Sequence, residues 1–225
     1  MGTGVSNLIM KKLLFIVLNF FFLSCFASDA PPPPANISTP PQRTHFFYGG
    51  LIGGYADIDW SSVIAQDKAT YATNPTQADG NGALFGGNIG YQFNKYFALE
   101  LEYIQMPTSY LDFNPAARIT YGTTSTNAQM NFAAFIVKFM APLGKSDFSV
   151  FTDVGPAYQH LSDDITDTGT FAPTFGAGLN YKINEHWFST MAFQYATGYG
   201  ESIALPMTEY IPEIYAYTFS INYIF

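Results

Sequence analysis

The chain has 225 residues and a net charge of −8, and only 12% of its residues are charged, against about 25% in a typical soluble domain. Its few lysines and arginines are scattered, which excludes nucleic acid as a partner, because neutralising phosphates takes basic clusters. The single cysteine, Cys25, excludes a disulfide and a thiolate metal site, and no cofactor is implied.

Met1–Ala27 reads as a secretory signal peptide. Lys11 and Lys12 precede the apolar core Leu13–Leu23, and Cys25-Phe26-Ala27 offers a cleavage site before Ser28. That core is too short for a membrane-spanning helix, which needs about 20 residues. Met10 is an alternative start, and acylation of Cys25 is an alternative fate of the leader. Pro31–Pro34 and Pro40-Pro41 then favour an extended chain, so Ser28–Thr44 is expected to be a periplasmic linker.

No later stretch has the length and continuous apolarity of a membrane helix. Segments of two-residue alternation recur instead, separated by turn residues. In lipid every backbone polar group must be paired, which leaves helices and closed barrels. Residues 45–225 are therefore expected to be all-β, a membrane-spanning antiparallel up-and-down β-barrel of about eight strands, with abundant aromatics (22 Phe, 16 Tyr) facing lipid.

The strands follow in order. Phe46–Asp59 is a glycine-interrupted first strand, and Gly82–Phe93 is the second. In Phe97–Gln105, Phe97, Leu99, Leu101 and Tyr103 alternate with Ala98, Glu100, Glu102 and Ile104. Two carboxylates in lipid would be prohibitive, so that second face must look into the lumen. Gln129–Ala141 turns Ala133, Phe135, Val137 and Phe139 outward and Lys138 inward. Phe148–His160 is the fifth strand. Thr170–Ile183 places Phe175, Ala177, Leu179 and Tyr181 outward and Gly176, Gly178, Asn180 and Lys182 inward. Trp187–Thr197 is the seventh. The last, Tyr210–Phe225, has Tyr215, Tyr217, Phe219, Ile221, Tyr223 and Phe225 on one face and small polar residues on the other.

Short connections (Asn94–Tyr96, Pro142–Asp147, Asn184–His186) alternate with longer ones (Trp60–Asp79, Pro107–Asn127, Leu161–Gly169, Gly198–Glu209). Short periplasmic turns and long external loops have this asymmetry, and it puts both chain termini in the periplasm. The loops are acidic, with weak cation-ligand spacing at Asp163, Asp164 and Asp167. Tyr96, Tyr103, Trp187, Phe188, Tyr195 and Tyr210 are expected at the membrane interfaces.

Within the lumen, Glu100, Glu102, Lys138, Asp153 and Lys182 form a candidate charge network. It reads as a plug that rigidifies the barrel, or as the gate of a narrow pore, since eight strands leave room for little besides side chains.

Gly90-Tyr91-Gln92-Phe93, the turn into Phe97–Tyr103, Gly176-Ala177-Gly178-Leu179-Asn180-Tyr181 and the terminal Phe225 together resemble the OmpA-like small-barrel surface antigens. The resemblance covers about Phe46–Phe225. It implies an outer-membrane barrel without the peptidoglycan-binding domain that follows the barrel in full-length OmpA. It also implies that Tyr217, Phe219, Ile221, Tyr223 and Phe225 act as an assembly signal for the outer-membrane insertion machinery. Implied partners are outer-membrane lipids and lipopolysaccharide, with a host or surface ligand at the loops. Some eight-stranded barrels are lipid A deacylases with a His-x-Ser pair, and His160-Leu161-Ser162 has that spacing. The downstream Glu is absent, however, so a lipid-modifying enzyme is the least favoured reading. The expected function is a non-enzymatic outer-membrane barrel for envelope integrity and surface interaction, with a narrow gated ion or solute pore as the alternative.

Overall fold

A two-residue period of apolar side chains puts one face of each strand in lipid and turns the other inward, and it sets the fold. The computed structural model describes residues 45–65, 75–198 and 211–225. The expected signal peptide and linker lie outside the described residues, as do Tyr210, residues 66–74 of the connection Trp60–Asp79 and residues 199–209 of the connection Gly198–Glu209. The described strands are β1 (Phe46–Asp59), β2 (Pro75–Asp79), β3 (Gly82–Asn94), β4 (Phe97–Gln105), β5 (Ser109–Phe113), β6 (Ser125–Pro142), β7 (Phe148–Ser162), β8 (Asp167–Lys182), β9 (Trp187–Ala196) and β10 (Glu213–Ile224). Two single-turn helices, α1 (Ser61–Ala65) and α2 (Ala117–Tyr121), lie in the connections.

Eight of the strands form a closed antiparallel barrel in the cyclic order β6-β4-β3-β1-β10-β9-β8-β7, and β7 returns to β6. Outward positions are apolar and exposed, including Phe47, Leu51, Phe85, Ile89, Leu101, Phe135, Phe175, Met191 and Phe219. The short turns carry the expected chemistry. Asn94 Oδ1 accepts the Tyr96 N–H at 2.8 Å, and Asn184 Oδ1 accepts those of His186 and Trp187.

The structure differs from the sequence reading in three places. The connection expected over Leu161–Gly169 is only Asp163–Thr166, because β7 and β8 pair up to Ser162 and Asp167. Asp163 makes this compact turn possible: its Oδ1 accepts the N–H groups of Ile165 (2.6 Å) and Thr166 (2.7 Å). Secondly, two connections expected as loops contain strand. β5 pairs with the outer end of β6 at Ser125–Ala128, and β2 pairs with β5, so a small sheet stands on the rim. Thirdly, Phe188 faces the lumen instead of an interface, with its ring 5.1 Å from that of buried Tyr48.

The barrel interior has two halves. Towards the short turns it is polar. Towards the loops it is apolar, filled by Ile52, Ala56, Leu84, Ile104, Met130, Phe132 and Ile214. That core runs on without a break into Trp60 and Val63 from the first connection and Leu111, Phe113 and Ala117 from the second.

Candidate functional site

The polar half of the interior is built on β4. Glu100 and Glu102 project inward from alternate positions, as the strand pleat requires. Glu100 receives Lys138 of the adjacent β6, with Nζ 3.1 Å from both carboxylate oxygens. The two side chains are 2% and 6% exposed. Tyr48 of β1 donates its hydroxyl to Glu100 Oε2 at 2.5 Å. The Lys138 ammonium also lies 4.6 Å from the centre of the Phe151 ring, a cation–π contact.

Glu102 is held from the far wall. Gln194 of β9 donates Nε2–H to Glu102 Oε2 at 2.6 Å. In the cyclic strand order, three strands separate β4 from β9 in either direction, so this bond crosses the full diameter of the barrel. Asp153 of β7 stands directly opposite Lys138 in the ladder and is buried, yet its Oδ1 has no hydrogen-bond partner among the described residues. The same is true of Asn88 Oδ1 and Asn222 Oδ1.

Two glycines leave room for this arrangement. A Cβ on Gly90 would collide with the Tyr48 ring, and one on Gly176 with the Asp153 carboxylate. The glycine-rich strands thus supply the space that large inward side chains occupy.

Of the five lumen residues expected from sequence, the structure brings four, Glu100, Glu102, Lys138 and Asp153, into one region. Lys182 is inward but partly exposed near the β8–β9 turn, and its side chain makes no ion pair among the described residues. Tyr48 and Gln194 complete the bonds within the lumen. Only inward parity and a polar tip mark them in the sequence. The apolar upper half was foreshadowed by Ile104, Met130 and Phe132, which share the inward parity of Glu100 and Lys138 but lie nearer the loops.

The cap above is tied to the barrel by more than apolar contact. Trp60 is 3% exposed, and its indole Nε1 donates to Ser109 Oγ on β5 at 3.1 Å. On the opposite, lipid-facing side, Tyr217, Phe219, Ile221, Tyr223 and Phe225 all point outward from β10 or its end, and Phe225 is 70% exposed.

His160 also faces outward. Its Nε2 lies 2.8 Å from Asp167 Oδ1, and no hydrogen bond joins it to Ser162 among the described residues. The Asp163, Asp164 and Asp167 set forms no group that could hold a metal ion among the described residues.

Comparison with known proteins agrees with this architecture. The family model described as "outer membrane protein beta-barrel domain" matches residues 23–225. Outer membrane protein A of Buchnera aphidicola subsp. Schizaphis graminum is 21% identical over 182 residues, which is 77% of this chain and 50% of that protein. The chain thus spans about half the length of that relative. Among solved structures, OprG of Pseudomonas aeruginosa superposes with a TM-score of 0.52 at 16% identity, covering 82% of this chain and 97% of OprG. Neisserial surface protein A gives 0.52 at 11% identity, covering 80% of this chain and 97% of its own. At these identities the likeness is one of fold.

Proposed function

This chain belongs to the outer membrane protein β-barrel family and resides in the outer membrane, and from that premise we propose that it is a non-enzymatic, sealed barrel that supports the envelope and presents a folded loop cap to the surroundings. One observation carries the reading. The interior is filled along its length, by the bonds among Tyr48, Glu100 and Lys138 and the cross-lumen bond of Gln194 to Glu102 below, and by an apolar core continuous with the loops above. An apolar core at the mouth excludes hydrated ions, and side chains alone can fill an eight-stranded lumen. In this reading both termini lie in the periplasm, the leader is a signal peptide, the assembly machinery reads the outward face of β10, and a surface partner meets the cap.

A second reading, a narrow gated pore, draws on the unpartnered acceptors of Asn88, Asp153 and Asn222, which water would satisfy. Single-channel recording of the refolded chain in a planar bilayer separates the two, with Glu100→Ala and Lys138→Ala alongside and a boiled-versus-unboiled gel shift as the folding control. The sealed barrel gives no reproducible openings. Discrete openings that either substitution alters would put the pore first.

A further inference from the structure

We propose that the outward face of β4, β6 and β7 near the loop end is a binding site for one saccharide-headed lipid of the outer leaflet. It rests on the outer-membrane placement of the barrel and not on whether the lumen conducts.

A shallow, open depression of about 350 Å³ lies there, lined by Tyr103, Asn131, Ala133, Tyr158 and His160. This is at the small end of the usual range for ligand sites, roughly 300–1,000 Å³. All five side chains belong to the lipid-facing parity, so the depression opens to the membrane and not to the lumen.

The strand register explains its shape. Ala133 sits directly between Tyr103 on β4 and Tyr158 on β7. A small residue between two tyrosines leaves a slot with an apolar floor and aromatic walls. One row nearer the loops, Asn131 sits between Gln105 and His160. The upper edge of the slot is therefore polar. The amides of Gln105 and Asn131 and the hydroxyl of Tyr103 have no hydrogen-bond partner among the described residues. His160 is braced by Asp167 at 2.8 Å and stacks on Tyr158, with ring centres 6.3 Å apart.

Depth selects the occupant. A strand tilted near 40° climbs about 2.5 Å per residue. From Ala141 at the turn end of β6, Ala133 is then roughly 20 Å up and Asn131 roughly 25 Å, the approximate height of the apolar band. The slot straddles the level where acyl chains give way to headgroups.

Its chemistry selects the headgroup. Tyrosine rings offer flat apolar faces to sugar C–H groups, and amide and imidazole groups both donate to and accept from sugar hydroxyls. None of the lining residues is Lys or Arg, and the nearest charge is the Asp167 carboxylate, so a phosphate gains nothing there.

The test is native mass spectrometry of the full refolded chain with lipid A, dephosphorylated lipid A, or phosphatidylethanolamine as probe. Wild type is expected to retain one lipid A, and the dephosphorylated form equally well. Ala133→Leu fills the slot and is expected to weaken retention at least ten-fold. Asn131→Ala is expected to weaken it several-fold. Both positions are outward-facing, and the gel shift confirms folding. Ala133→Ser, which keeps the slot open, should bind as wild type does. Equal retention by Ala133→Leu and wild type would overturn the proposal, as would loss of binding on dephosphorylation or equal retention of phosphatidylethanolamine. A dimer that Ala133→Leu abolishes would also overturn it, by placing a second copy in the slot.

Discussion

Replacing Lys138 by Met is expected to destabilise the barrel by about 3–5 kcal/mol, the usual cost of removing one partner from a buried ion pair. The ammonium touches both Glu100 oxygens at 3.1 Å, and neither side chain is more than 6% exposed. At that separation and an effective dielectric near 20, the attraction is roughly 5 kcal/mol. Lys138 is the only Lys or Arg buried among the described residues, so its loss leaves Glu100, Glu102 and Asp153 with no buried cation nearby. The Tyr48 hydroxyl and the Gln194 amide stay in place and limit the loss. Glu100→Gln has a smaller cost, about 1–3 kcal/mol, because Lys138 still faces Asp153 and Phe151. The double variant should therefore cost only about 1–2 kcal/mol more than Glu100→Gln alone, giving a coupling of about 2–3 kcal/mol. Urea unfolding of the chain folded into lipid vesicles, read by gel mobility, measures all three. A loss below about 1 kcal/mol for Lys138→Met, or strict additivity in the double variant, would refute the reasoning.

Trp60→Ala removes the largest side chain joining cap to barrel and its bond to Ser109; limited proteolysis should cut the loops faster while the heat-modifiable gel band persists. Gly90→Val drives a Cβ into the Tyr48 ring and is expected to cost at least about 1–3 kcal/mol in the same urea titration. Phe225→Ala should slow insertion by the cellular assembly machinery, followed as the folded band in outer-membrane fractions. It should barely change refolding in detergent, because that ring is mostly exposed and little packing depends on it.

The barrel strands were legible because lipid on one side and a filled lumen on the other impose opposite chemistry on alternate residues. Phe97–Gln105 and its bounds follow from that constraint alone, and the strand occupies those residues. The pairing of Glu100 with Lys138 was legible too, since both are inward and lie near their turns on neighbouring strands. Gln194 was not. Its partner Glu102 is 92 residues away and on the opposite wall, and no local pattern encodes a bond across a diameter. The rim sheet escaped for a different reason. β2 and β5 are five residues each, and runs such as Pro75–Asp79 have turn-like composition. They become strand only because the outer end of β6 offers an edge to pair with. Asp163-Asp164 suggested an open acidic loop, whereas Asp163 acts as the acceptor that tightens the turn.

Cap and upper barrel are each incomplete alone. Two five-residue strands and two single-turn helices cannot bury enough surface to hold together in water. Equally, Ile52, Leu84, Ile104 and Phe132 would line a water-filled mouth at considerable cost if nothing covered them. Packed together, each covers the apolar face of the other, so the two should loosen as one unit and not loop by loop. This coupling divides the labour between the two sides of the cap. Leu111, Phe113 and Ala117 are tied to the barrel core and have little freedom to change. Thr76, Gln77, Tyr110 and Ile119 face away from it, and Ile119 is 91% exposed. Any partner of the loops would meet this outer side, where substitution leaves the fold intact and recognition can vary.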